Sequence, residues 1–190
     1  MSNEIAEKNL LLKELMLSLA DKSAWAYNDS LIEGSLKKLD RSELARFEHI
    51  FFVGHGTSYA TALCAASWGS HIARLTSRAV VAYEFRQYME DIMLVPKKSL
   101  VVGISCGGET ESVRLALGCA RDAGAATMIV SGEGDIKCAE FADWRVLTDS
   151  HIEQRSGTKA ASISHTFLMA AAFKLCVLIG SANGSLSDER

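Results

Sequence analysis

Three short apolar runs, "HIFFVG" (49–54), "SLVVGIS" (99–105) and "ATMIVSG" (126–132), each end on a glycine or a serine. A strand buried on both faces reads as such a continuous apolar run, whereas a half-exposed strand alternates. No other feature constrains this chain more, because strands of this kind need helical crossovers and helices on both faces of a parallel sheet. "RAVVAY" (78–83) and "DWRVLT" (143–148) supply two further strands. Helical spacing fills the rest. Ile5, Leu11, Leu12, Leu15 and Leu19 predict a helix over 4–20, and a second covers 29–39. From Thr57 to Leu75, apolar residues recur at 60, 63, 64, 68, 72 and 75, a stripe that puts Trp68 in the core with its neighbour His71. Val113, Ala116, Leu117 and Ala120 share one face of a helix over 109–122. The closing "GTKAASISHTFLMAAAFKLCVLIG" (157–180) is apolar nearly all round and therefore buried. Right-handed crossovers leave an α/β, three-layer αβα sandwich around a five-stranded parallel, doubly wound sheet. Residues 1–24 form an N-terminal helix and 25–180 the domain. "SANGSLSDER" (181–190) is a tail or the start of a linker.

Composition narrows the function. The chain has 190 residues, 48% of them hydrophobic, which suits one domain with a sizeable core. Twenty basic against twenty-three acidic residues give a net charge of −3, without the basic footprint of a nucleic-acid binder. No uninterrupted apolar run reaches the length of a membrane span, about 18 residues. The N-terminal stretch mixes acids with its leucines, unlike a signal peptide, so the expected location is the cytoplasm. Cys64, Cys106, Cys119, Cys138 and Cys176 are scattered, with no C-x-x-C pair or metal-ligand spacing. Four read as small core residues. Cys106 alone is placed to touch a ligand.

Doubly wound sheets bind ligands outside the carboxyl ends of their strands. Three loops at that edge place glycine and hydroxyl residues where a helix starts. They are "GHGTSYA" (54–60) with Gly56, Thr57 and Ser58, "SCGGET" (105–110), and "HIEQRSGTKA" (151–160). The first turn of a helix carries unpartnered N–H groups and the positive end of the dipole, so it attracts an anion. Glycines allow close backbone approach, and hydroxyls add donors. At about 1.5–3 kcal/mol per hydrogen bond to a charged group, three or four reach the ~4–8 kcal/mol of a millimolar-to-micromolar site. A phosphate is the natural guest. The competing reading makes these residues ordinary helix caps. Glu109 would repel an anion, and is expected to point away from it or to reach back to a free N–H. The Walker pattern is absent, and no G-x-G-x-x-G follows a strand.

"GHGTSYA", "YEFR" (83–86), "ISCGGET" and "GTKA" occur in the order and rough spacing of SIS (sugar isomerase) domains. The chain most resembles the first such domain in the isomerase half of glucosamine-6-phosphate synthases and in fructosamine deglycases. The resemblance covers roughly 25–180 and implies a flavodoxin-like topology, a homodimer and a phosphorylated sugar or sugar amine as ligand. It makes Ser105 and Thr110 phosphate ligands together with the backbone of Cys106 and Gly107. Ser58 would contact the sugar or its phosphate, while Ser156 and Gly157 would line the opposite wall. Two departures stand out. The family writes S-Q-S-G-E-T where this chain has Cys106 for the glutamine and Gly107 for the second serine, and Gly157 stands where a serine is common. The cleft thus has two side-chain donors fewer, which implies an altered affinity or sugar preference.

In the two-domain enzymes, the acid/base glutamate and histidine and a lysine come mainly from the second domain and its tail. This chain carries one such domain. It is half of a longer protein, a relative that completes its site by dimerising, or a binding module without chemistry. Within it, Glu153 is the candidate base for moving a proton between sugar carbons, against the reading of a solvated loop carboxylate. His55 is the candidate for protonating a ring oxygen, against that of a packing residue. Lys159 suits an anion's second charge or anchors a helix start. The expected activity is aldose–ketose isomerisation, or deglycation of a sugar phosphate amine, through an open-chain intermediate. No cofactor and no metal is implied. The alternatives are a non-catalytic sugar-phosphate sensor and a flavodoxin-like binder of a nucleotide or flavin.

Overall fold

The computed structural model describes residues 26–132, 134, 136–149 and 162–186. The predicted helix over 4–20 lies outside these. Two short helices come first, α1 (Ser30–Leu36) and α2 (Arg41–Leu44), capped at their starts by the carboxylates of Asp29 and Asp40. Then follow β1 (His49–Gly54), α3 (Thr57–His71), β2 (Thr76–Val81), α4 (Ala82–Ile92), β3 (Ser99–Ser105), α5 (Glu111–Asp122) and β4 (Ala126–Gly132). A 3-10 helix over Lys137–Phe141, β5 (Trp144–Thr148) and α6 (Ser162–Ala182) complete the order. All strands pair in parallel, in the order β2-β1-β3-β4-β5. This is the flavodoxin-like doubly wound sheet, whose winding reverses between β1 and β3.

The continuous apolar runs feed two cores. Ile50, Phe52, Leu100, Val102, Ile104, Met128 and Val130 point to one face, under α1, α3 and α6. Phe51, Val53, Val101 and Ile129 point to the other, under α4, α5 and the 3-10 helix. Successive residues thus serve opposite layers, which is why β1, β3 and β4 show no polar alternation.

Several boundaries and faces differ from the sequence expectations. β2 occupies 76–81 instead of 78–83, because Ala82 and Phe85 are both needed, one helical turn apart, in the second core. "YEFR" therefore belongs to α4, a helix the sequence reading did not contain. The helix from Thr57 stops at His71, where Arg74 takes a left-handed φ of 55°. Its buried face is the small-residue set Thr61, Ala62, Ala65 and Gly69, and Leu63 of the expected stripe is 51% exposed. Close packing explains the inversion: a Cβ on Gly69 would lie 2.5 Å from Ser77 Oγ, and one on Gly180 of α6 would lie 2.8 Å from Ile72 O. Only small side chains fit beneath α3. Trp68 sits at the margin of the core, edge-on to Phe173 of α6 at 5.4 Å. His71 is exposed, its Nδ1 2.8 Å from Ser67 O, and is not a core residue.

All five cysteines are free, Cys138 and Cys176 buried and the rest half-buried. α6 is long and apolar enough to pass for a membrane span by length and composition. Here Leu168, Ala171, Leu175 and Ile179 commit it to the first core. The helix runs on through Ala182, and Asn183 Nδ2 donates to Ala73 O at 2.9 Å. The first residues of the predicted tail are thus fastened to the domain.

Candidate functional site

The loops after β1 and β3 flank the point where the winding reverses, the place where an open α/β sheet leaves a crevice. In the first loop, Gly54 ends β1 so close to α3 that a Cβ would lie 2.7 Å from Ser58 O. Gly56 takes a positive φ of 57° at the start of the helix. Thr57 and Ser58 then form its first turn. The second loop turns on Gly108, at φ 67°, whose N–H donates to Ser105 O at 3.1 Å. Ser105 is buried, and its hydroxyl meets that of Thr110 at 2.8 Å.

A decisive detail concerns capping. Gly56 has no side chain to cap α3, and the Thr110 side chain makes no capping bond to α5. The Thr110 hydroxyl is engaged with Ser105 across the loop instead. Two helix starts therefore converge without the side-chain caps that the competing reading required.

Between the loops lies a cleft of about 460 Å³, lined by His55, Thr57, Ser58, Ser105, Cys106, Gly107, Glu109 and Thr110. Every expected site residue from 55 to 110 is in this lining except Gly56, which shapes the first loop from outside it. Ser156, Gly157, Glu153 and Lys159 lie outside the described residues. Glu109 is a correction: its carboxylate lines the cleft and pairs with Lys137 Nζ at 3.4 Å, not with a helix N–H. A larger cavity of about 580 Å³ sits between α1, α2 and α6, lined by Tyr27, Leu36 and Leu178 among others, and includes neither glycine loop.

The 3-10 helix between β4 and β5 supports the second loop from behind, which the sequence reading missed. Cys138 N–H donates to Gly108 O at 2.9 Å, and its thiol to Thr110 O at 3.5 Å. Burial pushes that thiol up to about 11, so it stays protonated and remains a donor at neutral pH. Ile136 packs beneath Gly108, where a Cβ would come within 2.6 Å of its Cγ2. Gly132 N–H donates to Cys106 O at 2.9 Å. Arg114 ties α5 to the same segment, gripping Glu111 at 2.8 Å and Glu140 at 2.6 Å and lying 5.4 Å from the centre of the Phe141 ring. Its hydrogen bond holds the Glu111 carboxyl below the usual range. Sequence separation hid these contacts, and no local motif announces them.

A second unforeseen contact steadies the first loop. Thr61 Oγ1, one turn beyond Ser58, shares a hydrogen bond of 2.7 Å with His165 Nδ1 on α6. Burial pushes the His165 imidazole below its ordinary value, favouring the neutral ring. The site is thus a cleft of hydroxyls and backbone donors on two rigid helix starts, suited to an anion with a polar body.

Comparison with known proteins agrees with this geometry. Residues 43–179 match the SIS domain family. The chain belongs to that family. An SIS relative, the glutamine–fructose-6-phosphate aminotransferase (isomerizing) of Haemophilus ducreyi, is 33% identical over 146 residues, covering 76% of this chain and 23% of the relative. The chain spans about a quarter of the length of the curated relatives it matches. Among solved structures, the C-terminal domain of the Francisella tularensis glucosamine-fructose-6-phosphate aminotransferase superposes with a TM-score of 0.74. It is 22% identical, and the match covers 92% of this chain and 49% of that one. An Escherichia coli protein solved in complex with a phosphosugar gives 0.73 at 19% identity, over 97% and 95% of the two chains. Both structural likenesses carry the SIS fold.

Proposed function

We propose that this SIS domain binds the phosphate of an open-chain phosphorylated sugar, or sugar amine, in the cleft between β1 and β3. Ser105 and Thr110 supply hydroxyl donors, Cys106 and Gly107 backbone donors, and Ser58 contacts the sugar or its phosphate. Ser156 and Gly157 close the opposite wall. The observation that carries this reading is the Ser105–Thr110 pair at a helix start left without a side-chain cap. Such a start offers oriented N–H groups and positive potential to an anion. The Escherichia coli neighbour, solved with its phosphosugar bound, supports the same class of ligand here. In this reading the chain works in the cytoplasm as a homodimer.

The chemistry proposed is that of a sugar-phosphate isomerase or a fructosamine-6-phosphate deglycase, of which this chain is one half. An isomerase removes a proton beside a carbonyl and returns it to the neighbouring carbon, which requires a carboxylate or histidine in reach of both. His55, on the cleft wall, is placed to assist ring opening. Glu153 is the candidate base if the chain acts alone. NMR of fructose 6-phosphate and glucosamine 6-phosphate in heavy water tests this. The isolated chain is expected to bind the sugar phosphate and to incorporate no deuterium. Incorporation by the wild type that Glu153→Gln abolishes, with binding intact, would instead make these 190 residues a complete catalyst.

A further inference from the structure

Among the described residues lining the cleft there is one carboxylate, Glu109, and no lysine or arginine. A phosphate entering such a cleft meets like charge at its wall. The cation that reaches this wall comes from another element: Lys137 Nζ lies 3.4 Å from Glu109 Oε1. Its position is fixed by its neighbours in sequence. Ile136 packs beneath Gly108, and Cys138 N–H is bonded to Gly108 O, so the residue between them is held against the phosphate loop. Both partners of the pair are 59% exposed, and an exposed ion pair contributes little to folding. The fold does not need it.

We propose that Lys137 sets the charge of the cleft, cancelling Glu109 and thereby selecting a phosphate dianion over a singly charged or neutral sugar. The proposal rests on the reading of the cleft given above. On binding, Lys137 faces either the carboxylate or the phosphate at little cost, because the pair it leaves is weak and solvated. Glu109 in turn makes the lysine necessary.

Calorimetric titration of the full chain with fructose 6-phosphate tests the proposal. Wild type is compared with Lys137→Met, Glu109→Gln, the double variant and Thr110→Val, at low and high salt. Lys137→Met is expected to lose roughly three- to tenfold in affinity at low salt, with an unchanged melting temperature. The double variant is expected to bind at least as well as wild type. The loss should shrink at high salt, as screening shortens the reach of both charges. The wild-type rise in affinity as the phosphate loses its second proton near pH ~6 should be damped in Lys137→Met. Lys137→Met binding like wild type overturns the proposal, and so does a double variant as weak as the single one. If Thr110→Val weakens binding while Lys137→Met does not, only this proposal falls. If neither changes affinity, the phosphate lies elsewhere and the reading of the cleft falls with it.

Discussion

The hydroxyl of Thr110 joins two tasks, since it bonds to a buried neighbour and faces the cleft. Thr110→Val is expected to weaken sugar-phosphate binding by about 1–3 kcal/mol. It also strands the Ser105 hydroxyl, so the melting temperature without ligand falls too, whereas Thr110→Ser keeps both properties. Calorimetry with thermal melts on the two variants checks this; equal affinities for Val and Ser would count against it. Gly108 makes a second residue-scale case. Its positive φ costs any other residue roughly 1–2 kcal/mol, and the added methyl would also press on Ile136. Gly108→Ala should destabilise the chain, and Ile136→Ala in the same background should relieve the steric part alone. A double-mutant cycle of denaturation midpoints separates the two terms.

Among the elements, those with one dominant environment were legible. β1, β3 and β4 are buried on both faces, and their apolar runs gave the correct spans to the residue. β2 lies at the sheet edge and is half exposed, so its pattern carried less information and its span was set two residues late. α4 begins at the residue after β2, with no loop to mark it. α3 misled because its buried face is built from alanine, threonine and glycine, while Leu63 faces out. The candidate site was legible where it is local, in two loops whose glycines and hydroxyls stand together. Ile136, Lys137 and Cys138 were not, since nothing in a 3-10 stretch announces a contact made some 30 residues away in sequence. The Thr61–His165 bond between α3 and α6 was hidden for the same reason. It has a consequence for pH. His165 is depressed in the folded chain, so the unfolded chain binds its proton first on acidification. Its contribution is complete above the unfolded value, about 6.5, and is lost as pH falls through the folded one. His165→Gln should therefore flatten the fall in melting temperature below pH ~6.5; an unchanged slope in that variant would refute the assignment.

For the whole molecule, surface chemistry bears on assembly. Leu63, Tyr83, Tyr88 and Leu94 are each at least half exposed, Leu94 at 79%. Apolar groups of that size gathered on a surface favour association, and a two-fold pair is the commonest outcome. Light scattering at micromolar concentration is expected to give the mass of a dimer, and a monomer would count against this reading.

The placement of α6 has a consequence for biosynthesis. This helix is the last described element of the chain, yet it covers the sheet face to which β1, among the first, contributes Ile50 and Phe52. A ribosome adding about 5–20 residues per second needs on the order of 6–25 s to go from the end of β1 to the end of α6. For that interval the nascent sheet has no lid on one side, and its wet apolar face is a target for a chaperone.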